Sequence, residues 1–168
     1  MNAVRSVYTL GMLLIMFSGC AGGSDGRAPD ATPSSSTDGA SAGQTADVTR
    51  VEVSEASGSW RFSVQISSPD TGCTQYADWW EVVTEDGALA YRRILAHSHV
   101  DEQPFTRSGG PVMVDGDAIV WVRAHMNTGG YGVAMRGTPT SRFEVATPPE
   151  GFAAALETTP PLPANCAF

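Results

Sequence analysis

The sequence predicts an all-β fold, an antiparallel β-sandwich of seven to eight short strands. Three observations carry this. Apolar and polar residues alternate in several short stretches between residues 49 and 147. Turn chemistry rich in Gly, Asp, Pro and Ser separates those stretches. Finally, no convincing helix period runs through this part of the chain.

The elements follow in order. "RVEVSE" is a weaker opening strand. "SWRFSVQIS" alternates cleanly, with Trp60, Phe62, Val64 and Ile66 on one face and Arg61, Ser63, Gln65 and Ser67 on the other, the period of a half-buried strand. "SPDTG" is turn chemistry. "DWWEVVTEDGALAYRRILA" reads as a hairpin with Asp86-Gly87 at its tip. A two-residue turn there sets Glu85 opposite Ala88, Val82 opposite Tyr91, Glu81 opposite Arg92, Trp80 opposite Arg93 and Tyr76 opposite His97. The pairs share a face, so Glu81 with Arg92 is an expected ion pair and Trp80 with Arg93 an expected cation–π contact. Both faces of the hairpin carry apolar residues, so its pattern leaves the core face open. "RSGGP" at 107–111 reads as a turn before the weak strand "GPVMVD". "AIVWVRAHM" puts Val120, Val122 and Ala124 on one face and Trp121, Arg123 and His125 on the other. "VAMRG" and "SRFEVA" complete the set. Residues 148–168 form a proline-rich tail packed on the domain, with one helical turn around Phe152 to Leu156.

Before the body lie two segments of different character. Arg5 and an apolar run from Val7 to Phe17 begin the chain, and the run is too short to span a bilayer comfortably. Residues 21–48 contain no apolar side chain larger than alanine before Val48, prolines aside. Such a segment cannot bury enough surface to offset its ordering entropy and is expected to be a disordered tether.

The apolar run ends in "FSGC", which resembles the lipobox of bacterial lipoproteins. Ser18 and Gly19 match its small residues, and Phe17 stands where leucine is usual. The resemblance implies a signal peptide at 1–19 and lipidation at Cys20, followed by the tether to residue 48. With Ala21 rather than aspartate after the cysteine, it implies a cell-envelope protein lipid-anchored in the membrane, the outer one where the cell has one. The alternative is an ordinary secretory signal cut near Ala21 to Gly23, giving a secreted or periplasmic protein. If Cys20 carries lipid, Cys73 and Cys166 remain as an even pair in an oxidising compartment and are expected to form a disulfide.

"WWEVVTEDG" and "DAIVWVRAHMNTGGYG" look like the third and penultimate strands of a fibronectin type III or similar immunoglobulin-like domain. The likeness covers about a third of the domain. It implies the immunoglobulin-like sandwich and says little about function.

Composition narrows the function. The net charge is −8, and all ten basic residues are arginine, a poor basis for nucleic-acid binding. The chain has three histidines: His97 and His99 in "LAHSHVDEQPF", and His125. His97 and His99 are two apart and point the same way on a continuing strand. With His125 on the other flank of the "WWEVV" strand, and with Asp101 or Glu102, they would make a zinc or copper site if they converged. A spacing of about 9.5 Å between strands one apart works against convergence. Trp79, Trp80, Trp121 and Tyr131 could form an aromatic platform for a glycan or an envelope protein. No catalytic residue is assigned. The leading expectation is therefore a non-catalytic binding or assembly domain on a membrane anchor, with a metal-dependent, enzymatic domain as the alternative.

Overall fold

The computed structural model describes residues 44–167. The expected signal peptide, Cys20 and most of the expected tether fall outside them. Two antiparallel sheets face each other. The smaller has strand order β1-β2-β5, from β1 (Asp47–Ala56), β2 (Ser59–Ser67) and β5 (Phe105–Val112). The larger has order β4-β3-β6-β8-β9, from β3 (Ala77–Thr84), β4 (Leu89–Ile94), β6 (Val120–Met126), β8 (Ala134–Gly137) and β9 (Glu144–Ala146). The short β7 (Gly130–Tyr131) also pairs with β6. The sandwich of about nine strands agrees with the expected fold class.

Burial follows the alternation. Phe62, Val64 and Ile66 of β2 meet Trp80 and Val82 of β3 and Val120, Val122, Ala124 and Met126 of β6, all buried in one core. This settles the hairpin's orientation: Trp80 and Val82 face between the sheets. The domain also begins earlier than expected, because Ala46 and Val48 are buried and Val48 N donates to Val133 O at 2.9 Å. Val48 is the first bulky apolar residue after the polar segment, and it supplies the area that segment lacks.

The hairpin holds a compensated irregularity. Ala88 faces Thr84 rather than Glu85: Thr84 N donates to Ala88 O and Gly87 N to Thr84 O. Residues 85–87 make a three-residue loop, with Gly87 at φ +86°, the left-handed position glycine fills without a Cβ penalty. A shift between Val82 and Val83 then restores the register, so Val82 faces Tyr91, Glu81 faces Arg92 and Trp80 faces Arg93 as expected. The expected cation–π pair is displaced by one residue, with Arg92 lying 4.6 Å from the Trp79 ring.

Two further expectations are corrected. "RSGGP" is part of strand β5 rather than a turn. Its glycine has a packing reason, since a methyl at position 109 would lie 2.6 Å from Tyr91 Oη and 2.9 Å from Trp80 Cζ2. The strand carrying "LAHSHV" does not continue to the histidines: β4 ends at Ile94, and Tyr76 is not paired with His97.

The outer face of the larger sheet is also covered. Residues beyond β9 cross it as a tail with a short 3-10 helix, Ala154–Thr158. Leu156 packs there against Val83, Trp121 and Ala134, and Cys166 near the end of the tail is disulfide-bonded to Cys73 with Cα atoms 5.5 Å apart. The disulfide expectation is met.

Candidate functional site

The candidate site is a cleft of about 440 Å³ lined by Gly72, Cys73 and the segment His97 to Glu102. Its frame is one buried carboxylate. Asp70 Oδ1 accepts from Ser68 Oγ at 2.7 Å and Ala77 N at 3.0 Å, and Asp70 Oδ2 accepts from His99 N at 2.8 Å. Gln103 closes the loop, accepting from Ser68 N at 2.9 Å and donating to His99 O at 3.1 Å. An irregular loop under these conditions needs side-chain partners for its backbone groups, and Asp70 and Gln103 supply them.

His99 is 2% exposed and stacks on Phe105 with ring centroids 3.8 Å apart. Neither ring nitrogen has a hydrogen-bond partner among the described residues. Burial, then the nearby Arg107 charge, then His97, lower its pKa from the ordinary histidine value. His97 is exposed, with its ring 4.5 Å from that of His99. Glu102 is paired with Arg107 at 2.7 Å, and Arg107 holds its carboxyl below the usual range. Asp101 faces solvent. The rim exposes Val100 at 50%. Ser98 directs its hydroxyl at Asp70.

His125 is held elsewhere. Its Nδ1 lies 2.7 Å from Asp78 Oδ1, and its ring stacks on Trp79 at 3.7 Å. Among the described residues no group of three or more His, Cys, Asp or Glu side chains is placed to hold a metal ion. The expected set of His97, His99, His125, Asp101 and Glu102 therefore does not come together. The reason is local: His97 and His99 leave the strand into the Asp70 loop, whereas His125 stays on β6 and is taken by Asp78.

The aromatic platform is likewise absent from the surface. Trp79, Trp80 and Trp121 are 3%, 0% and 5% exposed. Trp80 belongs to the core between the sheets, and the tail lies over the face that carries Trp121. Tyr131 is half-buried and donates its hydroxyl to Glu81 Oε1 at 2.9 Å. Burial, then the Glu81 charge, push its pKa up.

Sequence reasoning missed the most heavily bonded polar group on that face. Arg92, Glu81 and Arg123 lie side by side across β4, β3 and β6. Glu81 Oε2 accepts from Arg92 Nε at 2.8 Å and from Nη2 at 2.5 Å, and Oε1 accepts from Arg123 Nε at 2.7 Å. Other guanidinium hydrogens turn outward to the tail. Arg92 donates to the carbonyls of Leu156 (2.6 Å), Thr159 (2.6 Å) and Pro161 (3.0 Å). Arg123 donates to those of Phe152 (3.0 Å) and Ala153 (3.1 Å). The expected Glu81–Arg92 pair was visible in the hairpin register, but nothing in the sequence showed that it would be buried.

No family model matches the chain. No solved structure matches it either. Among curated proteins it is similar to one from Halomicrobium mukohataei described as "Putative lipoprotein", with 42% identity over 88 residues. The match takes in 52% of this chain and 43% of that protein, so the chain spans less than half of the relative's length.

Proposed function

We propose that the protein is a membrane-anchored envelope lipoprotein, lipidated at Cys20, whose immunoglobulin-like sandwich serves binding or assembly without catalysis. The observation that carries the anchor is the cysteine closing an apolar run in "FSGC", supported by the similarity to a protein described as a lipoprotein. Among the described residues no helix is long and apolar enough to cross a membrane. Ala21 in place of aspartate extends the reading to the outer membrane where the cell has one.

The binding role rests on the Asp70 loop. It holds His97, Asp101 and Val100 toward solvent around one cleft, and loops fixed by a rigid scaffold are where recognition residues concentrate. An envelope protein or a glycan is the partner class proposed for it.

Cys20→Ala tests the anchor. The variant moves from the membrane fraction to the soluble fraction, and the wild type begins at a modified Cys20. A wild type already soluble and beginning after Ala21 overturns the anchor. His97→Ala with Asp101→Ala tests the cleft. A glycan array, or cross-linking in intact envelopes, shows one class of ligand that the wild type binds and the double variant does not. An unchanged pattern overturns the cleft's role.

A further inference from the structure

The tail rests on the larger sheet in an unusual manner. Five of its carbonyls, at Phe152, Ala153, Leu156, Thr159 and Pro161, accept hydrogen bonds from Arg92 and Arg123. Among residues 147–167 only Leu156 is buried. The face therefore grips the peptide backbone and buries Leu156, with Phe152 packed beside it, its ring centroid 5.4 Å from that of Trp121. Proline suits such a segment, because it keeps its carbonyl while offering no N–H to compete for it. The two arginines are themselves positioned from below by Glu81, with Arg92 against Trp79 and Arg123 3.7 Å from the Tyr131 ring. This arrangement belongs to the sheet and not to the tail.

We propose that this face is a binding surface for a proline-rich peptide that makes one short 3-10 turn, that its own tail keeps it occupied, and that the Cys73–Cys166 disulfide is the latch. The occupant in trans is the tail of a second copy, since the same carbonyls and the same leucine fit the same arginines. Beyond Pro161 the tail keeps one backbone hydrogen bond to the rest of the described chain, from Ala167 N to Ala96 O. Cys73 is exposed and Cys166 half-buried, so the bond is open to attack. A dithiol opens it: its thiolate attacks one sulfur, the other leaves as a thiolate, and the second thiol resolves the mixed disulfide. Two electrons pass; the dithiol becomes a disulfide, and Cys73 and Cys166 become thiols. The tail is then tethered at one end only, which lowers its effective concentration at the face. The inference concerns the folded domain and is independent of lipid at Cys20.

The test uses the full chain, oxidised and after treatment with a dithiol, by hydrogen exchange and peptide titration. Reduction is expected to raise exchange of the amides at 154–159 by at least about tenfold, with β3 and β6 unchanged. A labelled peptide of residues 149–167 with Cys166→Ser, titrated to millimolar concentration against the resident tail, then binds the reduced protein saturably and not the oxidised one. The same peptide with Leu156→Ala binds at least about tenfold more weakly. Reoxidation at high protein concentration gives dimers linked from Cys73 of one copy to Cys166 of another. Tail amides equally protected in both states overturn the latch, and so does loss of protection in β3 and β6. An opened tail with no saturable peptide binding, or equal binding of the two peptides, overturns the surface.

Discussion

Arg123 Nε donates to Glu81 Oε1 at 2.7 Å with the two side chains 4% and 0% exposed. Glu81 serves Arg92 with its other oxygen, so one carboxylate neutralises part of two buried cations. Tail carbonyls accept five further hydrogen bonds from the two guanidinium groups.

Removing the carboxylate charge should therefore be costly. Glu81→Gln leaves two buried guanidinium groups without a counter-charge and is expected to lose about 3–5 kcal/mol, read from urea denaturation. Replacing all three residues by apolar ones often restores stability in buried ion triads. Here the combination Arg92→Met, Glu81→Leu and Arg123→Met should recover less than half of the loss, because the tail carbonyls lose their donors as well.

Ala153 is held at φ 48°, ψ 35°, in the left-handed region. The turn brings the carbonyls of Phe152 and Ala153 onto one guanidinium. A Cβ costs about 1–2 kcal/mol there, and glycine avoids it. Ala153→Gly is expected to raise stability by up to about 1 kcal/mol after its greater freedom in the unfolded chain is subtracted. A lower thermal midpoint would show that the Ala153 methyl, which reaches toward Gly87, matters more than the strain.

His99 gives the protein a pH dependence whose sign is fixed. Its pKa in the fold lies below the ordinary value of 6.5, so the unfolded chain binds the proton more readily. The contribution is fully present above pH 6.5 and declines as the pH falls through 6.5 toward the folded value. Burial sets most of the effect; Arg107 and His97 deepen it, and Asp70 and Glu102 oppose it. His99→Phe preserves the stack on Phe105 and should flatten the stability profile as the pH falls below 6.5. Denaturant titrations at several pH values provide the comparison.

Gly109 tests the packing of the two sheets. A methyl added at this position would press to 2.6 Å from Tyr91 Oη and 2.7 Å from Tyr91 Cε1. Gly109→Ala should cost about 1–3 kcal/mol by overpacking, measured by chemical denaturation. Pairing it with Tyr91→Ala should return part of that loss, since the methyl then fills the space the ring leaves.

Much of the sandwich was legible because alternation reports burial directly. The faces of β2 and β6 followed from single residues such as Phe62 and Val122. The register at Trp80, Glu81 and Val82 came out right although the turn did not, because a bulge between Val82 and Val83 cancels the extra loop residue. What stayed hidden depends on distant partners. "RSGGP" carries turn residues, and only the bulk of Tyr91 and Trp80 explains a glycine inside β5. The histidine loop is shaped by Asp70, which lies 29 residues from His99 and has no local signature of that role. Trp79 and Trp121 look like surface candidates until a segment more than 30 residues beyond Trp121, around Leu156, is laid over that face.

That covering segment also decides how long the domain is. A chain ending at Ala146 would contain the sequence of every strand and still leave five guanidinium hydrogen bonds with no oxygen to meet. Its outer sheet would present tryptophan beside arginine to water and to its neighbours. The fold thus runs on past its last β-ladder, because two cations need acceptors as far as the Pro161 carbonyl.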